Sequence, residues 1–278
     1  MLSKQYLGLI MLIVFWGSAF PIIKLTLIFM SPLVIALIRV VVGGTILYLY
    51  VRKLEYGVKE SISALLNIGI FLILLNLGIQ YASNPGLAST LIYTQPVFVL
   101  VLSSLILKEK LNALQVLGTL VAFLGVLSTV GITGFNIGSL IALLGGFIWA
   151  LGTLYYRIYL REKDVLALNS YMSLFSTLFI LPISLTDFRI DPSIEGIGLA
   201  LLVSITSQAL GFILWFNAVK SIGPIKASTF VLLVPVSSYF FSYLILNEVP
   251  TISEVVGSAV TLLGVFLTFL PGVLIKKA

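Results

Sequence analysis

The stretch Asn84–Val97, NPGLASTLIYTQPV, recurs 139 residues later as Gly223–Val236, GPIKASTFVLLVPV. Pro85 falls on Pro224, Ala88-Ser89-Thr90 on Ala227-Ser228-Thr229, and Pro96-Val97 on Pro235-Val236. The register then continues without a gap: Glu109 meets Glu248, Gly118 meets Gly257, and Gly125-Val126 meet Gly264-Val265. Eighteen of the 48 pairs from 84/223 to 131/270 are identical. Shared Leu and Val mean little in apolar sequence. Pro, Glu and Gly repeated at one fixed offset point to a duplicated unit, dividing the chain into residues 1–133 and 134–278.

Composition sets the class. Of the 278 residues 60% are apolar and 9% charged, against about 25% charged in a soluble domain. A soluble fold of this length lacks its charged shell, so the chain reads as an all-α polytopic membrane protein. The net charge of +6 does not indicate nucleic acid, because the basic residues sit in loops between apolar runs rather than on one face. With no Cys and no His, disulfides, thiol nucleophiles, zinc sites, histidine bases and haem ligation by His are excluded. No cofactor and no metal is expected.

The apolar runs fall near 6–23, 32–50, 62–81, 85–107, 112–131, 138–156, 166–185, 196–219, 224–246 and 252–273. Each approaches the roughly 20 residues that a helix needs to cross the hydrocarbon layer, and lipid tolerates no unpaired backbone. The first run is too long for a signal-peptide core and is expected to remain as an anchor. With the N-terminus in the cytoplasm, the inside loops collect thirteen of the sixteen basic residues, among them Arg52, Lys53, Lys108, Arg157, Lys163, Lys220 and Lys226. That partition favours ten transmembrane helices with both termini cytoplasmic in a multi-pass cell-membrane protein. Five spans per repeat is an odd number, so the second copy enters the membrane upside down. Two inverted five-helix repeats are a transporter architecture in which the solute is held midway between the copies.

Pro85 and Pro224 fall where the fourth and ninth spans begin, a tolerated position. Pro96 and Pro235 lie mid-helix and remove the donors for the carbonyls of Ile92 and Val231. They read either as packing kinks or as hinges. Gly118 and Gly125, like Gly257 and Gly264, lie seven apart with Ala122 and Thr261 between them. Such faces let helices approach closely, so the fifth and tenth spans read as buttresses outside the cavity.

With WGSAFP at 16–21, Trp149 in the sixth span, and the paired Pro, Ala-Ser-Thr and Pro-Val blocks ending at Glu109 and Glu248, the chain resembles the EamA branch of the drug/metabolite transporter superfamily over essentially its whole length. The resemblance implies a carrier of small metabolites, often an exporter, with a cavity built by spans 1–4 and 6–9.

Polarity selects the candidate site residues. Ser204, Gln208, Gly211 and Trp215 form a stripe in the eighth span with Ser207 beside it; the third span places Asn76 and Gln80 one turn apart; the sixth aligns Trp149, Thr153 and Tyr156; the fourth supplies Tyr93 and the seventh Tyr171. Amides cannot face lipid, so they line the cavity or tie helices together. Trp16, Trp149 and Trp215 read as cavity lining or as packing. Arg39 alone is charged deep in a span. It binds a substrate carboxylate or phosphate, or it pairs with backbone carbonyls as a tie. Lys24 and Lys220, near span ends, can snorkel.

No Asp or Glu lies inside a span; all ten sit in loops or at helix ends. The expectation is therefore a facilitator or exchanger of small metabolites such as amino acids, working by alternating access. A proton-coupled antiporter, in which Glu109 or Glu248 would be the first suspects, and a nucleotide-sugar or sugar-phosphate exchanger are the alternatives within the fold. A non-transporting receptor or scaffold is the alternative outside it. An enzyme would be limited to a Ser–Lys dyad and is not expected. The partners are a small-molecule solute and the lipid bilayer, with the chain a monomer or homodimer.

Overall fold

Helices account for nearly all of the computed structural model, which describes residues 4–82, 85–108, 112–130 and 136–274. In chain order they are α1 (Lys4–Phe29), α2 (Pro32–Val51), α3 (Val58–Ala64), α4 (Ile70–Tyr81), α5 (Pro85–Ile92), α6 (Gln95–Ile106) and α7 (Ala113–Val130). There follow α8 (Ile137–Tyr159), α9 (Val165–Ser184), α10 (Ile194–Val203), α11 (Phe212–Ile222), α12 (Pro224–Phe230), α13 (Leu233–Leu246) and α14 (Ile252–Leu274). Eight rods among the described residues are long and apolar enough to cross a membrane, the longest being Ile194–Ile222. Ala113–Ser128 and Val255–Gly264, at the fifth and tenth expected spans, are shorter apolar helices. The protein is thus an all-helical, multi-pass membrane protein. Leu105, Leu178 and Leu263 are among the large side chains left exposed on its flanks, as a lipid-facing surface requires.

Local chemistry sets several helix ends. Asn136 accepts from the Ser139 backbone N–H at 3.1 Å and opens α8; Asp164 does the same for α9 through Ala167, at 2.9 Å; Ser193 caps α10 through Gly196 at 3.1 Å. Side-chain acceptors at these positions take up amides that the first helical turn leaves unpaired. The expected first span ends at residue 23, but α1 continues to Phe29 and places the half-buried Lys24 inside the helix. The extension holds because its last carbonyls find a donor in Arg189, described below.

Two long rods are not plain α-helix. α3 passes into α4 through a π-turn at Leu65–Gly69, and α10 passes into α11 through another at Ser204–Gly211. The two turns begin 139 positions apart, the offset of the sequence repeat. A π-turn inserts an extra residue and frees carbonyls from the helical ladder, and such turns concentrate at functional sites.

The mid-span prolines break their rods at equivalent points. α5 stops at Ile92 and α6 begins at Gln95, while α12 stops at Phe230 and α13 begins at Leu233. The Val231 carbonyl, deprived of its usual donor, accepts from the Val234 N–H three residues on, at 2.9 Å. The Ile92 carbonyl lies so close to Gly146 of α8 that a Cβ there would stand 2.5 Å from it.

α7 and α14 run antiparallel in close contact. A Cβ on Gly125 would stand 2.8 Å from the Gly257 carbonyl, one on Gly264 would stand 2.6 Å from the Gly118 carbonyl, and Thr261 Oγ1 donates to the Ala122 carbonyl at 3.4 Å. α2 packs along α9, α4 along α8, and α1 along α13. One apolar core draws on both halves of the chain, from Leu12 and Ile68 to Trp215 and Val231. Glu109, Lys110 and the 133/134 boundary lie outside the described residues, as do Lys276 and Lys277.

Candidate functional site

A closed cleft lies in that core, between α1, α2, α4, the α5–α6 break and the second π-turn. Its walls are Trp16, Ala19, Phe20, Ile23, Arg39, Phe71, Leu75, Tyr93, Ser207 and Phe212. Its cavity volume is about 20 Å³, about the room of one water molecule, so the cleft stands shut in this conformation.

The aromatic wall is one connected cluster. The Trp16 ring meets those of Trp149 at 5.3 Å, Phe212 at 5.5 Å and Trp215 at 5.8 Å, and Trp149 meets Tyr93 at 5.6 Å and Phe71 at 5.2 Å. These separations lie in the range where edge-to-face and tilted pairs attract. The π-turn orients the cluster, because Trp16 Nε1 donates to the Ser207 carbonyl at 3.1 Å. Gly211 makes room for the indole, which lies directly against its backbone.

Arg39 on α2 is 2% exposed. Nη2 donates to Ser207 Oγ at 3.0 Å. Nε and Nη1 have no hydrogen-bond partner among the described residues. The backbone-tie reading of Arg39 therefore finds no carbonyl partner here, and the guanidinium is anchored at one corner with the rest of its donors unused.

The other expected site residues are distributed differently. Trp149 and Trp215 stand behind Trp16, fully buried, with indole N–H groups unengaged. Gln208 donates to Ser173 Oγ of α9 at 3.1 Å, and Asn76 to the Leu72 carbonyl of its own helix at 2.7 Å. Both amides are buried outside the cleft walls. Gln80 is half-buried one turn beyond Asn76. Tyr156 packs on Phe216 at 4.7 Å, while Tyr171 stacks on Phe175 and bonds Ser61 Oγ at 2.7 Å. The π-turn explains the eighth-span stripe. Its extra residue rotates the face, so Ser207, not Ser204 or Gln208, reaches the cleft. Phe20, Phe71, Leu75 and Phe212 escaped a search by polarity, since apolar residues in apolar helices carry no signal of their own.

At each end of the helix bundle the two halves of the chain are tied together. At one end Arg189, in the loop after α9, donates to the carbonyls of Ile28 at 3.0 Å, Leu27 at 2.9 Å and Met30 at 3.4 Å. The Ser31 N–H donates to the Arg189 carbonyl, and the Asp191 N–H to that of Phe29. At the other end Lys163, in the loop after α8, pairs with Glu55 at 3.1 Å and Glu60 at 3.0 Å, while Lys53 pairs with Glu55 at 2.8 Å. Hydrogen bonds from Lys53 and Lys163 hold the Glu55 carboxyl below its usual range, and the bond to Glu60, then that to Glu55, raises Lys163. Glu60, 6% exposed at the first turn of α3, is the buried carboxylate among the described residues. Glu248 is exposed in the loop before α14.

Comparison with known proteins agrees with this layout. The signature of the EamA-like transporter family is matched by residues 3–131 and again by residues 136–270. A protein of Archaeoglobus fulgidus described as an uncharacterized transporter is 28% identical over 95% of this chain and 98% of its own. The uncharacterized transporter YvbV of Bacillus subtilis is 30% identical over 92% and 88%. A chloroplastic WAT1-related protein of Arabidopsis thaliana is 26% identical over 92% of this chain and 67% of its own. A solved crystal structure superimposes with a TM-score of 0.80 over 97% of both chains at 15% identity, a likeness of fold.

Proposed function

The chain belongs to the EamA-like transporter family, and on that footing we propose that it carries a small metabolite across a cell membrane by alternating access through the central cleft. In this reading ten spans form two inverted five-span repeats, divided near 133/134, with both termini in the cytoplasm. Trp16, Arg39 and Tyr93 contact the solute, Trp149 and Trp215 back them, and Pro96 and Pro235 mark hinges. Asn76, Gln80, Tyr156, Tyr171 and Gln208 belong to the same interior as its supports.

The observation that carries the reading is the matched tie at the two ends of the bundle. The loop after α1 meets the loop after α9 at one end, and the loop after α8 meets the loop after α2 at the other. Under an inverted relation of the halves these are the same pair of loops exchanged. Opening either latch exposes the cleft to one side, the requirement for alternating access. Further support comes from the α7–α14 contact. Gly125 faces Gly257, Gly264 faces Gly118, and Ala122 meets Thr261, its own counterpart at offset 139. A two-fold axis produces such self-complementary pairing. Arg157, Arg161, Lys220 and Lys226 share one crevice and Lys220 bonds the Lys163 carbonyl at 3.4 Å, so the cations cluster at the Lys163 end, as a cytoplasmic face does.

The chain has no cysteine, so the test is direct. Ala19→Cys in the cleft wall, in sealed vesicles, is expected to react with a membrane-impermeant maleimide supplied from either side. Reaction from one side alone would eliminate alternating access.

A further inference from the structure

We infer that the cleft selects a small amphipathic monocarboxylate, with one carboxylate, an apolar and preferably aromatic body, and no cationic group. The inference rests on the carrier reading and narrows it. It starts from Arg39. A guanidinium has five N–H donors. Here the observed bond is to Ser207 Oγ, and Nε and Nη1 are left without partners in a side chain that is 2% exposed. Whichever Nη2 hydrogen Ser207 takes, a two-pronged edge remains, matching the paired oxygens of a carboxylate.

The rest of the wall defines the body of the ligand. Trp16, Phe20, Phe71, Leu75 and Phe212 offer ring faces, ring edges and aliphatic surface, and no Asp or Glu borders the cleft. An ammonium group would meet Arg39 with no carboxylate to offset the repulsion, which disfavours both amines and amino acids. A phosphate ester carries more charge than one arginine neutralises, and such sites gather several cations.

All three tryptophans of the chain stand in the cluster at the cleft, so intrinsic fluorescence reports binding. Purified protein in nanodiscs is titrated at neutral pH with 3-phenylpropanoate, L-phenylalanine, 2-phenylethylamine and 3-phenyl-1-propanol, which share a ring and differ in charge. The anion is expected to bind at least about tenfold more tightly than the alcohol, the order expected for a charge-assisted hydrogen bond. The amine should bind weakest. Arg39→Met should remove the anion's advantage and leave the alcohol within about threefold, which also reports that the variant is folded. Arg39→Lys should restore part of it.

Equal affinity for anion and alcohol, tighter binding of phenylalanine or the amine, or an unchanged anion preference in Arg39→Met would overturn the inference. Radiolabelled counterflow in proteoliposomes separates the two claims. An anion that binds through Arg39 but is not exchanged sinks the carrier reading and leaves the ligand assignment standing. Exchange of phenylalanine or the alcohol without the anion does the reverse.

Discussion

Replacing Gly125 or Gly264 by alanine tests the contact that joins the two halves at α7 and α14. A Cβ on Gly125 would stand 2.5 Å from Thr261 N, 2.7 Å from Thr261 Oγ1 and 2.8 Å from the Gly257 carbonyl. Ordinary contact begins at 3.4 Å, so the backbones must part by 0.6 Å (3.4 − 2.8) to 0.9 Å (3.4 − 2.5). At Gly264 the added Cβ would press hardest on Ala122 N, with Ala122 Cα and the Gly118 carbonyl at 2.6 Å, so the parting needed is more than 0.8 Å (3.4 − 2.6). A separation of about 0.5–1 Å forfeits a quarter to a half of each dispersion contact, and lipid offers no hydrophobic gain to offset it. Overpacking of this size costs about 1–3 kcal/mol. Helix propensity favours alanine by up to about 1 kcal/mol, so the reference is Gly198→Ala, where nothing lies within 4 Å of the added Cβ and only the propensity gain applies. Both variants should fall about 1–3 kcal/mol below that reference in SDS-induced unfolding followed by far-ultraviolet circular dichroism. One parting of the helices relieves both clashes, so the double variant should cost clearly less than the sum of the singles. Stabilities equal to that of Gly198→Ala would refute the close approach. Strict additivity would refute the idea that the two glycines share one interface.

The two latches should respond to opposite perturbations. Lys163→Met should increase labelling of Ala19→Cys from the Lys163 side, and Arg189→Ala should increase it from the other; the same side responding to both would contradict the arrangement. The Lys163 latch also has a pH window. Glu55 titrates below its ordinary 4.5, so its contribution is complete above that value and lost as the pH falls through the lowered one. Lys163 titrates above its ordinary 10.5, so its contribution is complete below that value and lost as the pH rises further. Quenching of the cleft tryptophans by iodide supplied from that side should be low between these limits and rise beyond each, with the alkaline rise absent in Lys163→Met. Gly211→Val should displace Trp16 from the π-turn and red-shift tryptophan emission; an unchanged spectrum would show that the indole does not depend on that glycine.

What the sequence could reveal follows from which interactions are local. The apolar runs, the breaks at Pro96 and Pro235 and the small faces of α7 and α14 are written in residue type at fixed spacing, and the structure places them where the spacing does. The π-turns at Leu65–Gly69 and Ser204–Gly211 have no such signature, since one extra residue per turn is a matter of what packs against the helix. Missing them puts Gln208 on the cleft face in place of Ser207. The latches were illegible for another reason. Arg189, Lys163, Glu55 and Glu60 are ordinary loop and helix-end charges in one dimension, and only the fold brings α1 carbonyls to Arg189 or Glu60 to Lys163. Arg39 stood out because charge deep in a span is rare, yet its unused donors could be known only once Ser207 was seen beside it.

The repeated features and the unrepeated ones fall into two different jobs. The mid-span prolines, the π-turns, the paired glycines and the loop-to-loop closures occur in both halves, and all of them shape or move helices. The charge that could recognise a solute does not recur. Seven positions into α2 stands Arg39, and seven positions into α9, the helix it packs along, stands Met172. The closures differ in the same way, one made by a guanidinium on helix-terminal carbonyls and the other by lysine–carboxylate pairs. A mechanism that rocks one half against the other needs equivalent frames so that its two open states are close in energy. It needs only one recognition charge if the site lies where the halves meet. Two buried arginines there would repel across a low-dielectric space and would call for a dianion. A single one, walled by rings, fits one monoanion per cycle.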